Sequence, residues 1–162
     1  MSSKRKPVIA VIGAGTCSKE LSEEAAAVGR YVARHGGVVV CGGKGGVMKG
    51  AARGAHEAGG VTIGILPSDD HAEANEFIDF AIPTGLGEVR NVLVVRSADA
   101  VVAFPGRYGT LSEMAFTLMA GKPLIAVRGY DLGPDVIRVD DPEEAARQAL
   151  ALAAERMVPG HE

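Results

Sequence analysis

Residues 103–113, AFPGRYGTLSE, carry the features that decide the fold. The apolar run 100–104 predicts a buried strand that ends at Pro105, because proline cannot donate a hydrogen bond to a neighbouring strand. The two glycines that follow permit a tight turn and a close approach of the backbone to a ligand. Thr110 marks the expected start of a helix whose free N–H groups can bind an anion, with Glu113 on its first turn. A carboxylate beside an anion site suggests chemistry on a phosphorylated molecule.

The composition describes one globular domain. With 162 residues, 47% hydrophobic and 23% charged, the chain can bury a single sizeable core. The net charge of −3 and the lack of a basic stretch disfavour broad binding to nucleic acid or membranes. We expect no metal site, because the two cysteines lack ligand spacing, and a cytoplasmic protein, because no signal or spanning segment is visible. Residues 1–6 and 157–162 are expected to be flexible tails.

Strands and helices alternate along the chain. Short β-branched runs end at glycine or proline, and amphipathic or alanine-rich stretches lie between them. This alternation predicts a single Rossmann-like α/β domain of three layers, a mostly parallel, doubly wound sheet with helices on both faces. The predicted strands are 8–12, 38–41, 61–66, 77–82 at an edge, 100–104, 123–127 and 136–139, and the predicted helices are 18–35, 47–58, 85–97, 110–120 and 141–156.

Three glycine-rich loops are expected at one edge of this sheet. In a doubly wound sheet the first strand lies beside the strand that starts the second half, and ligands bind where their loops face each other. Loops 13–16 and 105–110 would meet there, and loop 42–46 would border the same crevice. The residues expected to bind the phosphate or nucleotide are Gly13, Gly15, Thr16, Gly42, Gly43, Lys44, Gly45, Gly46, Pro105, Gly106, Arg107, Gly109 and Thr110.

These loops do not match the common nucleotide-binding motifs. A dinucleotide fingerprint needs a third glycine where this chain has Ser18. A P-loop needs serine or threonine after Gly-Lys, but Gly45 follows Lys44 here. The alternative that the glycines only form tight turns between strands and helices stays open.

Several segments resemble the LONELY GUY family, a Rossmann-like group related to the DNA-processing protein DprA. The similar segments are 42–48 (GGKGGVM), Arg90, 97–100 (SADA) and 105–113 (PGRYGTLSE). The resemblance implies hydrolysis of the N-glycosidic bond of a nucleoside 5′-monophosphate. It also implies that Arg90 and Glu113 are the catalytic pair and that Gly109 and Thr110 belong to the phosphate site. A carboxylate can stabilise the oxocarbenium-like sugar of such a reaction.

Two stretches, 10–13 (AVIG) and 64–67 (GILP), are also similar to the molybdenum cofactor carrier proteins. Arg107 stands where the hydrolase signature has a second glycine, and Asn91 stands where it has lysine. These differences favour the carrier-like branch. Three functions therefore remain: a phosphoribohydrolase, a non-catalytic carrier of the molybdenum cofactor and, least expected, a DprA-like DNA-binding module. No cofactor is required for the first, and nothing marks a pyridoxal-phosphate site for lysine decarboxylation.

The predicted helix 85–97 is apolar on more than one side. Val89, Leu93 and either Val94 or Val92 are expected to face inward, and Val95 adds apolar surface. A helix that is apolar around most of its circumference must be covered on both faces. We therefore expect a homodimer, or a higher homo-oligomer, formed partly by this helix and the helix after Thr110.

Overall fold

Seven strands form one sheet in the computed structural model, which describes residues 5–158. The strands are β1 (Val8–Ile12), β2 (Val38–Cys41), β3 (Val61–Leu66), β4 (Phe80–Pro83), β5 (Ala100–Ala103), β6 (Leu124–Val127) and β7 (Ile137–Val139), and the helices are α1 (Lys19–Arg34), α2 (Val47–Glu57), α3 (Asn91–Arg96), α4 (Tyr108–Met119) and α5 (Pro142–Arg156). The strand order is β4-β3-β2-β1-β5-β6-β7, and every neighbouring pair is parallel. The predicted Rossmann-like α/β class is confirmed, including β1 beside β5 and β4 at an edge.

The two faces of the sheet bury different sets of side chains, as the alternation of a strand requires. Ile9 and Val11 of β1 pack in a cluster with α1, α2 and α5. Ala10 and Ile12 pack in a second cluster with α3 and α4. Helices therefore cover both faces, which gives the three predicted layers.

Two helix starts follow the predicted capping signals. The Ser18 side chain accepts a hydrogen bond from Leu21 N at the start of α1. Asp141 accepts one from Glu144 N at the start of α5, with Pro142 in the first position. Such caps satisfy N–H groups that have no partner inside the helix.

The prediction of a helix over residues 85–97 was wrong about the length of the helix and about which of its side chains are buried. The chain forms a 3-10 turn at Gly87–Arg90 before the short helix α3, since Gly85 and Gly87 adopt positive φ and delay helix entry. Val94 is buried as expected, but Val89 is 67% exposed and Leu93 also faces solvent.

The predicted start of α4 at Thr110 was also wrong. The helix begins at Tyr108, so Thr110 lies inside its first turn and Glu113 on its second. The Thr110 side chain packs over Gly106, where a Cβ would be 2.7 Å from the Thr110 Cβ. This close packing lets the helix begin two residues early, with Arg107 as its capping residue.

Of the two predicted tails, residues 1–4 and 159–162 lie outside the described residues. Arg5 is described, and its guanidinium pairs with Asp99 at 2.7 Å. Within residues 5–158, none of the helices combines the length and the apolar character needed to cross a bilayer.

Candidate functional site

An open cleft of about 610 Å³ lies at the carboxyl ends of the strands, where β1 and β5 are neighbours. The loop after β1, the first turns of α2 and α4, and the 3-10 turn before α3 contribute to its walls. Its lining residues are Gly13, Ala14, Gly15, Thr16, Lys44, Met48, Pro67, Glu88, Arg90, Asn91, Arg107, Gly109, Thr110 and Glu113. This is the switch point of the sheet, where ligands of doubly wound proteins bind.

Hydrogen bonds fix the loops of the cleft relative to one another. Ala14 N donates to the Pro105 carbonyl at 3.1 Å, which joins the loops after β1 and β5. Val47 N donates to the Ala14 carbonyl at 2.9 Å, which joins α2 to the first loop. Asn75 Nδ2 donates to the Lys44 carbonyl at 2.8 Å and holds the second loop from outside. The loops of the cleft are therefore joined by hydrogen bonds within the protein.

Helix α4 begins at the cleft without a side-chain cap. Leu111 N makes the first helical hydrogen bond, to the Arg107 carbonyl at 2.9 Å. The N–H groups of Tyr108, Gly109 and Thr110 consequently have no acceptor within the helix. Free N–H groups and the positive end of the helix dipole together favour a phosphate group.

Glu113 supplies a buried carboxyl group to the cleft. It is 8% exposed. Burial raises the pKa of this carboxyl to about 8, although the Arg90 cation lowers it, and the Glu88 charge raises it further. Most of the carboxyl is therefore protonated at neutral pH. A neutral carboxyl can donate a hydrogen bond and does not repel an anion.

Arg90 is buried, and the protein uses three of its five N–H groups. Its Nε donates to the Ile65 carbonyl at 2.9 Å, and Nη2 donates to the Gly42 carbonyl at 3.4 Å. Its Nη1 donates to Asn91 Oδ1. The guanidinium thus joins β3 to the loop after β2. Within residues 5–158, no ion pair within 4.0 Å connects Arg90 to Glu113.

Two further cations lie at the cleft, and they differ in their partners. Lys44 Nζ pairs with Glu73 at 3.0 Å, and both side chains are partly exposed. Arg107 is exposed and has no ion-pair partner in the described part of the chain. Arg107 is therefore the cation that a ligand can engage without breaking an existing pair.

The glycines of the three loops fall into two groups by the space around them. A Cβ at most of them would lie within 3.0 Å of another atom, so packing itself requires glycine; these are Gly13, Gly42, Gly43, Gly45, Gly46 and Gly106. Gly15 and Gly109 differ. Their nearest neighbours would be Met48 Cε at 3.9 Å and Asn91 Nδ2 at 3.7 Å, and neither has a positive φ. Both line the cleft, and the packing around them does not require glycine.

The cleft brings together the larger part of the predicted site. The predicted residues that line it are Gly13, Gly15, Thr16, Lys44, Arg90, Arg107, Gly109, Thr110 and Glu113. The others, Gly42, Gly43, Gly45, Gly46, Pro105 and Gly106, do not line it, and they shape the loops behind its wall. Sequence reasoning missed Ala14, Met48, Pro67, Glu88 and Asn91. Pro67 follows a strand at the same edge of the sheet, so the rule that ligands bind at the carboxyl ends of the strands could have found it. The position of Glu88 depends on the 3-10 turn, which was not expected.

Fold and cleft together define a Rossmann-like α/β protein with an open site at the switch point of its sheet. The chain matches the SLOG cluster4 family over residues 6–157 and belongs to that family. An uncharacterized protein of Archaeoglobus fulgidus is 38% identical over 143 residues, covering 88% of this chain and 94% of the relative. The LONELY GUY relative LOG5 of Arabidopsis thaliana, a cytokinin riboside 5′-monophosphate phosphoribohydrolase, is 30% identical over 70% of this chain. The match spans about half of LOG5, 52% of its length.

Solved structures resemble the chain over nearly its whole length. The molybdenum cofactor binding protein of Rippkaea orientalis is 36% identical, with a TM-score of 0.85 and coverage of 93% of this chain and 99% of that one. The molybdenum cofactor carrier protein of Chlamydomonas reinhardtii is 33% identical, with a TM-score of 0.83 and the same coverage. DprA of Helicobacter pylori, 20% identical with a TM-score of 0.69, covering 90% of this chain and 80% of that one, shares the fold. The predicted relationship to the LONELY GUY family and its carrier-like branch is confirmed.

Proposed function

We propose that the cleft binds a phosphorylated, nucleotide-like small molecule, with its phosphate on the first turn of α4. The observation that carries this proposal is the open space at Gly15 and Gly109. Packing leaves room for a Cβ at both positions, yet both are glycine and both line the cleft. A ligand that contacts the backbone there explains this, since a methyl group would occupy its place.

The size and charge of the cleft support a mononucleotide or a pterin phosphate. Its volume of about 610 Å³ is in the range of small-molecule sites. Free N–H groups on α4 and the exposed Arg107 attract a phosphate, and a protonated Glu113 does not oppose it. The molybdenum cofactor is the first ligand to test, because two of the most similar solved structures belong to proteins named for binding or carrying it.

Gly109→Ala is expected to weaken binding of adenosine 5′-monophosphate by roughly tenfold or more, because the methyl group enters the phosphate position. The variant should unfold no more easily than the wild type, since alanine is favoured over glycine in a helix by about 1 kcal/mol. Isothermal titration calorimetry and thermal unfolding measure the two effects. Glu155→Ala, exposed on α5 and outside the cleft, is the control for a change to alanine without ligand contact. Unchanged affinity of the Gly109 variant would contradict the proposed phosphate position.

The geometry best supports a carrier, which binds the ligand and does not catalyse its reaction. Arg90 donates three hydrogen bonds, to Ile65, Gly42 and Asn91. These bonds hold the guanidinium in place, so it is less able to move with a sugar as the sugar reacts. Pterin released from the purified, heat-denatured protein and identified by mass spectrometry would support a carrier. Absence of bound pterin together with no measurable affinity for it would remove this candidate.

Hydrolysis of a nucleoside 5′-monophosphate is a second candidate, favoured by the buried carboxyl of Glu113. The proton of Glu113 would pass to the departing base as the C1′–N bond breaks, and water would add to C1′ and return a proton to the carboxylate. We expect any release of adenine and ribose 5-phosphate to be abolished in Glu113→Gln, as followed by chromatography. Glu20→Gln, exposed on α1 and outside the cleft, is the control, and it should retain the activity. No release by the wild type would exclude the hydrolase.

We also propose a cytoplasmic homodimer that covers the apolar side chains left exposed before α3 and on α4. Val89 before α3 is 67% exposed, and Met119 at the end of α4 is 81% exposed. Burying side chains of this size in an interface is favourable by about 25 cal/mol per Å². Analytical ultracentrifugation that shows only a monomer at micromolar concentration would contradict the dimer. The DNA-binding alternative remains least favoured, because the net charge is −3.

A further inference from the structure

Asn91 is the buried polar side chain of the cleft that the proposed function has not yet used. It is the first residue of α3, it is 3% exposed, and it lines the cleft. Its Oδ1 accepts a hydrogen bond from Arg90, and its Nδ2 donates to Ser112 Oγ at 3.3 Å. Ser112 Oγ in turn donates to the Gly109 carbonyl at 2.7 Å. A chain of hydrogen bonds therefore runs from the buried guanidinium to the first turn of α4.

The Arg90 guanidinium fixes which way the Asn91 amide points. Arginine has N–H donors and no acceptor, so the side facing it must be the oxygen. The amide NH₂ consequently faces α4, and a Cβ at Gly109 would lie 3.7 Å from its nitrogen. One N–H of this group reaches Ser112. The second N–H has no acceptor among the described residues and lies at the wall of the cleft.

A buried N–H without a partner costs free energy unless a ligand or water accepts its hydrogen bond. The position of Asn91 beside Gly109 places this donor next to the open space that the proposed function assigns to the phosphate. We infer that Asn91 donates a hydrogen bond to the anionic group of the ligand, and that Arg90 orients the amide for it. Asn91 is then a ligand-binding residue, and Arg90 is a positioning residue that acts through it. This inference rests on the proposed function.

A neutral donor suits this position better than a cation would. A cation at residue 91 would lie against the Arg90 guanidinium in a buried site, where like charges repel strongly. The amide supplies a directed hydrogen bond without that repulsion. In this proposal Asn91 supplies a fixed dipole to the phosphate, and Arg107, which lines the same cleft, supplies the positive charge.

The test is the affinity of Asn91→Asp for adenosine 5′-monophosphate. An aspartate has the size of asparagine and still accepts from Arg90, so the ligand-free protein should melt at the wild-type temperature or above it. It cannot donate, and we expect affinity to fall by roughly tenfold or more. Asn91→Leu also lacks the donor but adds no charge, and it should weaken binding to a similar extent. Weakening by Asn91→Asp with unchanged affinity of Asn91→Leu would be repulsion between charges and would overturn the inference.

Arg90→Lys provides a second and independent measurement. Lysine keeps the charge but loses the planar fork that orients the amide. If Arg90 acts through Asn91, its effect on affinity should be non-additive with Asn91→Asp in a double-mutant cycle, whereas additive effects would overturn the positioning role. Ser97→Ala, exposed at the end of α3 and outside the cleft, is the control, with a change of about twofold or less. Wild-type binding with an equally tight Asn91→Asp variant refutes the inference alone. If the wild type binds neither adenosine 5′-monophosphate nor the pterin, the proposed function is refuted as well.

Discussion

Glu113→Gln is expected to make the protein more stable than the wild type at alkaline pH, by roughly 2–5 kcal/mol at pH 9. The wild-type carboxyl has a pKa of about 8 in the folded protein, because it is buried, against an ordinary value of 4.5. Glutamine has nearly the same shape and never ionises. The variant therefore escapes the cost of placing a negative charge in the cleft.

The sign of this effect follows from proton binding in the two states. Between pH 4.5 and about 8 the unfolded chain has lost the Glu113 proton while the folded protein still holds it. The contribution of the Glu113 carboxyl to the stability of the wild type is thus fully present below pH 4.5 and is lost as pH rises towards 8. The two proteins should be of similar stability at pH 4 and should differ most at pH 9.

Urea unfolding at a series of pH values measures this difference. Glu155→Gln, an exposed position on α5, is the matched control and should follow the wild type at every pH. An equal pH dependence of wild type and Glu113→Gln would show that the carboxyl ionises normally in the folded protein. It would also remove the neutral acid on which the hydrolase candidate depends.

Gly54→Ala is expected to destabilise the protein by about 3 kcal/mol, although intrinsic helix propensity favours alanine by about 1 kcal/mol. Helices α1 and α2 touch backbone to backbone at this point. A Cβ at Gly54 would lie 2.6 Å from the Ala26 carbonyl carbon and closer still to its oxygen. The backbone of α1 would have to move away, and buried contacts along the pair would loosen.

The same arrangement occurs in reverse at Gly29 of α1, where a Cβ would lie 2.9 Å from the Ala51 carbonyl carbon of α2. Each helix therefore offers a glycine to the backbone of the other. His56→Ala, exposed on the same helix as Gly54, should change the free energy of unfolding by less than about 0.5 kcal/mol. Chemical denaturation compares the variants, and a Gly54→Ala protein as stable as the wild type would contradict the close packing.

Much of the architecture could be predicted because its signals are local. Proline and glycine punctuation, β-branched runs and the caps at Ser18 and Asp141 lie within a few residues of the boundaries they define. The neighbouring position of β1 and β5 followed from a topological rule for such alternation. The same rule placed three glycine loops at one edge, and the cleft is there.

The errors arose at the two turns that lead into α3 and α4. Thr110 is a good capping residue, but it lies over Gly106 inside the helix. Val89 fits an apolar helical pattern, but a 3-10 turn exposes it. Neither outcome is visible in a short window of sequence, because each depends on how a turn packs against the rest of the protein.

The sequence by itself determined the order of strands and helices, the parallel sheet and the edge at which the glycine loops gather. Only the tertiary structure decided what each residue of the glycine loops and the cleft does. It separated the glycines required by packing from Gly15 and Gly109, raised the pKa of Glu113 by burial, and oriented the Asn91 amide. The physical reason is distance along the chain: Arg90 and the Gly42 carbonyl that it binds are 48 residues apart, and only folding brings them together.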